Sequence, residues 1–491
     1  MQMSYYTAAA VAVATLLSTW LAKCIYNIYF HPLSKFPGPK LAAASDWQYV
    51  RWYTSGSWHF RMQELHDKYG DVVRIGPNDL LFYTPTAARD IHSHATKGRK
   101  PFLKSEFYEF SHGRPDIVAA RDPVEHAKQR RQLAHAFSAK SLREQEGIVQ
   151  GYLNDFVDLL GKLSGEDDEI EVGGAFNWLT FDVIGDLAFG ESFGAVASGK
   201  NHFWVDLLLS GFFIMSLSNL RKSVPALGLV LPFLVPKGFL SSVKKHEALT
   251  LEKTRKRISL GDMGRADFFS QLISDDEEKC DEQWLANQAN VLIIAGSETT
   301  ATFLTAVTYF LLRTPETLVK LQHELRSEFQ TYDEITGDST LSLPYLTAVI
   351  EEGLRIVPPV AFGLPRMSPG AEIDGHWVPA GVVVSTSSFV LTRDSRYWNR
   401  PNEFVPERWI GEGLPGDNRA ASQPFSLGPR ACIGINLAKV EARLALAKLA
   451  WKYDWELRNK DVDFLRQAKM YTLWQKPDVR VRYTPRAGNL S

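Results

Sequence analysis

Apolar residues along this chain gather into a few runs too long or too regular to be ordinary surface segments. From Tyr5 to Ala22 there is no charged side chain, and Ala, Val and Leu dominate; past Lys23 and Cys24 the apolar character continues through Ile25, Tyr26, Ile28, Tyr29 and Phe30. That is long enough for one membrane helix with an aromatic interfacial end. From about Gln283 to Leu312 the sequence is again largely apolar and free of proline until Pro315, which predicts a long helix crossing the core. After Gly434, Leu437, Val440, Leu444 and Ala447 recur at helical spacing, so another helix begins just beyond Cys432. Ile350 to Arg355 reads as a helix stopped by Pro358-Pro359, and Arg366 opens an apparent strand. The run from Ala226 to Leu240 is interrupted by Pro232 and Pro236 and is too short and broken to span a bilayer.

A cleaved signal peptide is the alternative reading of the first run. Against it, the residues before the run lack Lys and Arg and no convincing small-residue cleavage site follows. Lys23, His31, Lys35 and Lys40 on its downstream side place the remainder in the cytosol. Pro37-Gly38-Pro39 stiffens the exit. The expected organisation is an anchor over residues 1–30, a proline-rich hinge over 31–40 and one catalytic domain over 41–491, because no linker, repeat or low-complexity tract divides the rest.

Composition excludes more than it selects. With 55 basic and 56 acidic side chains, nothing points to nucleic acid. Three scattered cysteines, Cys24, Cys280 and Cys432, argue against a disulfide framework and for a reducing compartment. The acidic run Asp275 to Glu278 reads as a solvated loop. Neither a Gly-rich dinucleotide fingerprint nor a flavin motif is apparent, so electrons from NADPH would have to arrive through a partner.

The richest chemistry lies in Phe425-Ser-Leu-Gly428-Pro-Arg430-Ala-Cys432-Ile-Gly434. A lone cysteine is usually a packed core residue, and a zinc ligand or a nucleophile are the other ordinary readings. The neighbours favour a thiolate presented to a haem iron. Gly428 permits the backbone of a tight bulge, and Gly434 permits close approach of a backbone or a porphyrin edge. Arg430 offers a permanent cation to a haem propionate, and Phe425 can cover the sulfur. The following helix N-terminus favours thiolate over thiol. The long helix carries Ile294-Ala295-Gly296-Ser297-Glu298-Thr299-Thr300 at its centre. Ala295 and Gly296 would leave room for a diatomic molecule, Thr299 can bond back to a carbonyl in the preceding turn, and Glu298 can feed protons into the resulting groove. An ordinary buried helix with a threonine-rich turn is the bland alternative. Together with Cys432, the functional reading is favoured.

The cysteine loop resembles the haem-binding segment of the cytochrome P450 family, Phe-x-x-Gly-x-Arg-x-Cys-x-Gly, and meets each fixed position. The run from Ala295 to Thr299 resembles the Ala/Gly-Gly-x-Asp/Glu-Thr segment of the family's longest helix. Ile350-Glu351-Glu352-Gly353-Leu354-Arg355, followed by Phe404-Val405-Pro406-Glu407-Arg408-Trp409, resembles its Glu-x-x-Arg helix and Pro-Glu-Arg segment. The resemblance implies a mainly α fold with a small β lobe, and a structural network of Glu352, Arg355 and Arg408 that locks the cysteine loop. It implies haem b with Cys432 as the axial iron ligand. Arg366 is a further propionate candidate, as is Arg130 in Glu125-His126-Ala127-Lys128-Gln129-Arg130-Arg131, which resembles the family's Trp-x-x-x-Arg segment with His126 replacing the tryptophan. Imidazole can still donate an N–H to a carboxylate, although a helical histidine is more often a surface residue.

Several stretches, including Tyr29 to Leu33 and Ala134 to Ser138, look most like fungal microsomal members that oxidise terpenoid or polyketide intermediates of secondary metabolism. The implied enzyme is a monooxygenase of the endoplasmic reticulum that hydroxylates or epoxidises a lipophilic molecule with O2. Its electrons would come from the membrane-bound NADPH reductase, with Lys128, Arg131, Lys439 and Arg443 as plausible docking contacts. Phe102, Phe107, Tyr108, Phe110, Val360, Ala361, Phe362 and the run Phe212 to Met215 are candidate pocket walls. A thiolate-haem isomerase or dehydratase acting on a peroxide, and a non-catalytic haem-binding protein, are the competing functions.

Overall fold

The structure is a computed structural model that describes residues 2–95, 98–109, 114–166, 169–204, 207, 233, 235, 238–261, 267–269 and 281–486. The segment Phe212 to Met215, the residues Phe110 and Cys280, the acidic run Asp275 to Glu278 and most of the stretch from Ala226 to Leu240 lie outside the described residues.

Two long apolar helices behave in opposite ways. Gln2–Tyr29 is a single helix with 6% of its apolar window buried, whereas Glu282–Arg313 has 72% of its window buried. Composition alone does not separate them; packing does. The first has apolar side chains with no protein to cover them, as a membrane segment requires. The second starts where the Asp281 side chain accepts from the Trp284 amide and stops at Thr314, one residue before Pro315 opens the next helix. Its chief neighbour is Val172–Phe189, a helix apolar on nearly all sides and therefore central, which ends at Gly190 with φ +76°. Ala139–Glu166, Pro344–Ile356 and Ile435–Lys452 pack around this pair.

The β lobe is small. Five strands run in the spatial order Val72–Gly76, Asp79–Phe82, His376–Thr386, Arg366–Ile373 and Leu103–Lys104, antiparallel except that Asp79–Phe82 and His376–Thr386 are parallel. Leu33, Phe36, Leu80, Phe82 and Val384 form a separate core on this sheet, joined at its edge by Phe102. Phe102 therefore belongs to the sheet core rather than to a pocket wall.

The hinge is clamped to this lobe. The Arg74 amide donates to Pro37 O at 2.7 Å, and a Cβ on Gly38 would lie 2.3 Å from Arg74 O, so glycine is needed for the close approach. The buried Arg74 guanidinium donates to Asn27 O at 2.8 Å and to Pro77 O at 2.6 Å. Asn27 in turn donates to Ala44 O at 3.0 Å, fixing the end of the N-terminal helix to the globule.

Candidate active site

One cavity of about 530 Å³ lies between the long helix and the loop that ends in Cys432. Thr299, Gly296, Phe425, Arg430, Cys432, Arg130, His126 and Arg366 all line it. These residues come from four separated stretches of sequence, so their convergence is a property of the fold.

The cysteine loop has the geometry that its composition suggests. Gly428 adopts φ +68°, and a Cβ there would lie 2.4 Å from His92 O, a backbone atom that cannot move aside cheaply. The Cys432 amide donates to Phe425 O at 2.8 Å and closes the bulge, and Ser426 takes φ +59° inside it. Ile435–Lys452 follows with Gly434 at its N-cap. Gly434 itself is uncrowded: a Cβ would meet nothing nearer than Cys432 Sγ at 3.9 Å, so no protein backbone requires this glycine. Cys432 opens into the cavity while the protein surrounds it on its other sides. Burial pushes its thiol pKa up, and a hydrogen bond from the Gly434 amide and the Arg130 charge offset this only in part. The amide at the helix end acts in the direction expected from sequence, favouring thiolate, but burial opposes it; a bound metal cation would favour the thiolate further.

Cations crowd one wall. Arg366 donates to the Tyr108 hydroxyl at 3.0 Å, Arg130 to Ala431 O at 2.6 Å, and Arg430 to the carbonyls of Ala120 and Arg121. His126 is buried and faces the cavity on Pro123–Ala134, not the surface that a helical histidine usually occupies. Lys104, which the sequence reading missed, is buried beside them with its ammonium 4.8 Å from the Tyr108 ring centroid. These groups destabilise one another. Burial and then Arg366 bring Arg430 down to about 10. Burial and the Arg430, Lys104, Arg130 and Arg366 charges bring His126 to about 3. Burial, Arg366 and Arg430 push Lys104 well below its usual value, with Asp116 opposing weakly. So many cations around one cavity fit an anionic group with two carboxylates. A thiol opposite a small-residue helix and this cationic wall fit a haem: Cys432 would hold the iron, and Arg130, Arg366, Arg430, His126 and Lys104 the propionates.

On the long helix Thr299 makes the expected bond, Gly296 has a second neighbour that explains it, and Glu298 lies away from the cavity lining. The Thr299 hydroxyl faces the cavity and donates to Ala295 O at 2.6 Å, the predicted bond to the preceding turn. Gly296 lines the cavity, but its missing Cβ would lie 2.7 Å from Ile184 Cδ1, so the glycine chiefly lets two helices approach. Glu298 is buried and is not among the cavity's lining residues; its carboxylate pairs with Lys476 and accepts from the Thr302 hydroxyl at 3.2 Å. A direct supply of protons from Glu298 would require that pair to open. In its place the cavity holds Glu441, one turn beyond Leu437 and bonded to Thr300. Burial pushes Glu441 up to about 8, so it is largely protonated at neutral pH. Its one signal in the sequence is an acid on an otherwise apolar helical stripe.

Behind the loop, the Glu352 network is complete and fully buried. Arg355 binds both carboxylate oxygens of Glu352 at 2.7 and 2.8 Å, and Arg408 Nε reaches Glu352 Oε1 at 3.0 Å. Arg408 also pairs with Asp417 at 2.6 Å, and Trp409 Nε1 donates to Glu352 at 2.9 Å. Burial opposes the Glu352 charge, but the two guanidiniums outweigh it and its pKa falls. Arg355 further donates to Thr392 O, Pro401 O and Glu403 O, so the network fixes the segment leading into the cysteine loop.

Of the expected pocket walls, Phe107, Tyr108, Val360 and Phe362 line the cavity, with Phe107 stacked on Phe362 at 5.1 Å, whereas Ala361 is packed in the core. Of the expected docking cations, Lys128 and Arg131 are exposed, Lys439 lines the cavity and pairs with Glu351 at 2.7 Å, and Arg443 is half-buried.

Fold and site together fit a haem-thiolate protein, with Cys432 and Thr299 of the long helix opening into one largely apolar cavity. The protein-family model for cytochrome P450 matches residues 40–481. "Cytochrome P450 monooxygenase BOA3" of Botryotinia fuckeliana is 43% identical over 94% of this chain and 93% of that protein. "Cytochrome P450 monooxygenase btcC" of Colletotrichum orbiculare is 40% identical over 95% and 92%, and "Cytochrome P450 monooxygenase poxC" of Penicillium oxalicum 40% over 94% and 92%. The chain belongs to the cytochrome P450 family, and its enzymatic class is that of an oxidoreductase, a monooxygenase.

Proposed function

We propose that this protein is a membrane-anchored monooxygenase of the endoplasmic reticulum with a cytosolic catalytic domain, which hydroxylates or epoxidises a lipophilic terpenoid or polyketide. Its electrons come from an NADPH-dependent, flavin-containing reductase that docks near Lys128 and Arg131. The observation that carries this reading is that Cys432 and Thr299 open into the same apolar cavity. When bound, haem supplies dioxygen binding and reductive activation, with the thiolate donating electron density to the iron.

The residues of the chain do the rest. Arg130, Arg366, Arg430, His126 and Lys104 orient the porphyrin by its carboxylates. Phe107, Val360 and Phe362 exclude water and position an apolar substrate. Thr299 already gives its proton to Ala295 O, so its oxygen is free to accept from a water and hold it where protons are consumed. Glu298 and Lys476 form a buried acid–base pair one residue away, able to replenish that water when the pair separates.

The test is incubation of the membrane-bound enzyme and its reductase with NADPH, labelled dioxygen and an extract of a strain lacking the gene. A product carrying a single labelled oxygen atom, formed only with NADPH, supports the reading. An unlabelled product formed without NADPH would instead favour the isomerase or dehydratase, and haem binding without any turnover the non-catalytic protein.

A further inference from the structure

Ile117 and Val118 line the cavity from a stretch, residues 114–121, that has no helix or strand of its own to hold it. Side chains from elsewhere hold it instead. Lys104 donates to Val118 O, and Arg430 to the carbonyls of Ala120 and Arg121, so one end of the stretch hangs from the propionate wall. The other end hangs from the long helix. Gln288 Oε1 accepts from the Ile117 amide at 3.3 Å and Gln288 Nε2 donates to Gln129 Oε1 at 3.1 Å. Gln129 Nε2 then donates to Pro115 O and to Glu125 Oε1, both at 2.9 Å.

A backbone N–H only donates, so the Gln288 atom that faces Ile117 is its oxygen, and its nitrogen is left to face Gln129. Each link fixes the orientation of the next. Both glutamines are fully buried, and neither lines the cavity. Apolar side chains of the same shape would fill this space, but they would leave the buried Ile117 amide without a partner. What the pair supplies is register, because it ties the cavity wall to the helix that carries Thr299 and to Pro123–Ala134, which carries His126 and Arg130.

We propose that Gln288, braced by Gln129, is a positioning residue that sets where the Ile117–Val118 wall stands and thereby the length of substrate that the cavity accepts. Gln288 precedes Gly296 by eight residues, about 12 Å along the helix axis. The pair therefore acts on the part of the substrate far from the carbon presented beside Gly296 and Thr299. This inference rests on the haem-monooxygenase reading and extends it to the choice of substrate.

The test is optical titration of the haem-loaded protein with methyl, butyl, octyl and dodecyl N-alkylimidazoles, whose ring nitrogen binds the iron while the chain measures the cavity. Gln288→Met keeps the length of the side chain and removes both hydrogen bonds. It should leave the methyl compound within about twofold and weaken the octyl or dodecyl compound about fourfold to fifteenfold, the worth of one or two methylenes losing their contact. Gln129→Met should give the same length-dependent loss, and the double variant should lose no more than Gln288→Met alone, because the two act in series. Should Gln288→Met fail to load haem, Gln129→Met carries the test by itself. Equal weakening of every compound, weakening of none, or losses that add in the double variant would overturn the proposal. Absence of a nitrogen-ligand shift with the methyl compound in the unaltered protein would overturn the underlying haem reading instead.

Discussion

Glu441 carries the clearest pH dependence in the molecule. Its pKa is raised from an ordinary 4.5 to about 8, so between those values the unfolded chain has released a proton that the folded one keeps. Stability then falls as pH rises through that window, by at most about 1.4 kcal/mol per pH unit, and levels off above pH 8. Glu441→Gln keeps the shape and removes the titration; its denaturation midpoint should be flatter from pH 5 to 8, measured on haem-loaded protein, whereas a parallel pH profile would refute the assignment. For Thr299→Ala the expected outcome is uncoupling, with peroxide released per NADPH rising several-fold while NADPH consumption continues; unchanged coupling would remove Thr299 from proton handling. At this scale the sequence was most legible where chemistry is local. Cys432, Gly428 and Phe425 share one loop. Lys104 and Glu441 were missed because only the folded chain brings them to the cavity, and the neighbour that explains Gly296, Ile184, sits on another helix.

The Glu352 helix shows how an element acquires meaning from what it touches. An i,i+3 pair on a surface contributes little. Here Glu352, Arg355 and Arg408 are fully buried, and removing one partner strands a charge. Glu352→Ala should cost about 3–5 kcal/mol in urea unfolding of the haem-loaded protein, and a loss below about 1 kcal/mol would show that the network does not hold the fold. The i,i+3 spacing was readable, as was the extent of the long helix, because its apolar run is unbroken until Pro315; the Asp281 cap at its start appears only in the fold. Trp409 and Asp417 completed the network only in three dimensions. Lys439 illustrates the converse: a plausible docking residue in sequence, it also pairs with Glu351 in the fold.

At the scale of the whole molecule the apolar N-terminal helix is joined to the globule by a built contact. Two truncated chains separate membrane attachment from that contact. One beginning at Tyr26 keeps the Asn27 carbonyl on Arg74, and one beginning at His31 loses it. Both should leave the membrane fraction. The shorter chain should be less stable by about 1–3 kcal/mol, the worth of a hydrogen bond to a buried charge, and equal melting of the two would deny the clamp. The sequence suggests stiffness at Pro37-Gly38-Pro39 but not where the segment docks, since Arg74 is distant in the chain.

The central claim is that Cys432 presents its sulfur to a haem iron across from Thr299. The most direct measurement is the carbon monoxide difference spectrum of the reduced protein, taken for the unaltered chain, Cys432→Ala and Cys24→Ala. The account predicts the thiolate-type band in the unaltered chain and in Cys24→Ala, and its complete loss in Cys432→Ala. A thiolate-type band that persists in Cys432→Ala, or is absent from the unaltered haem-loaded chain, would contradict it.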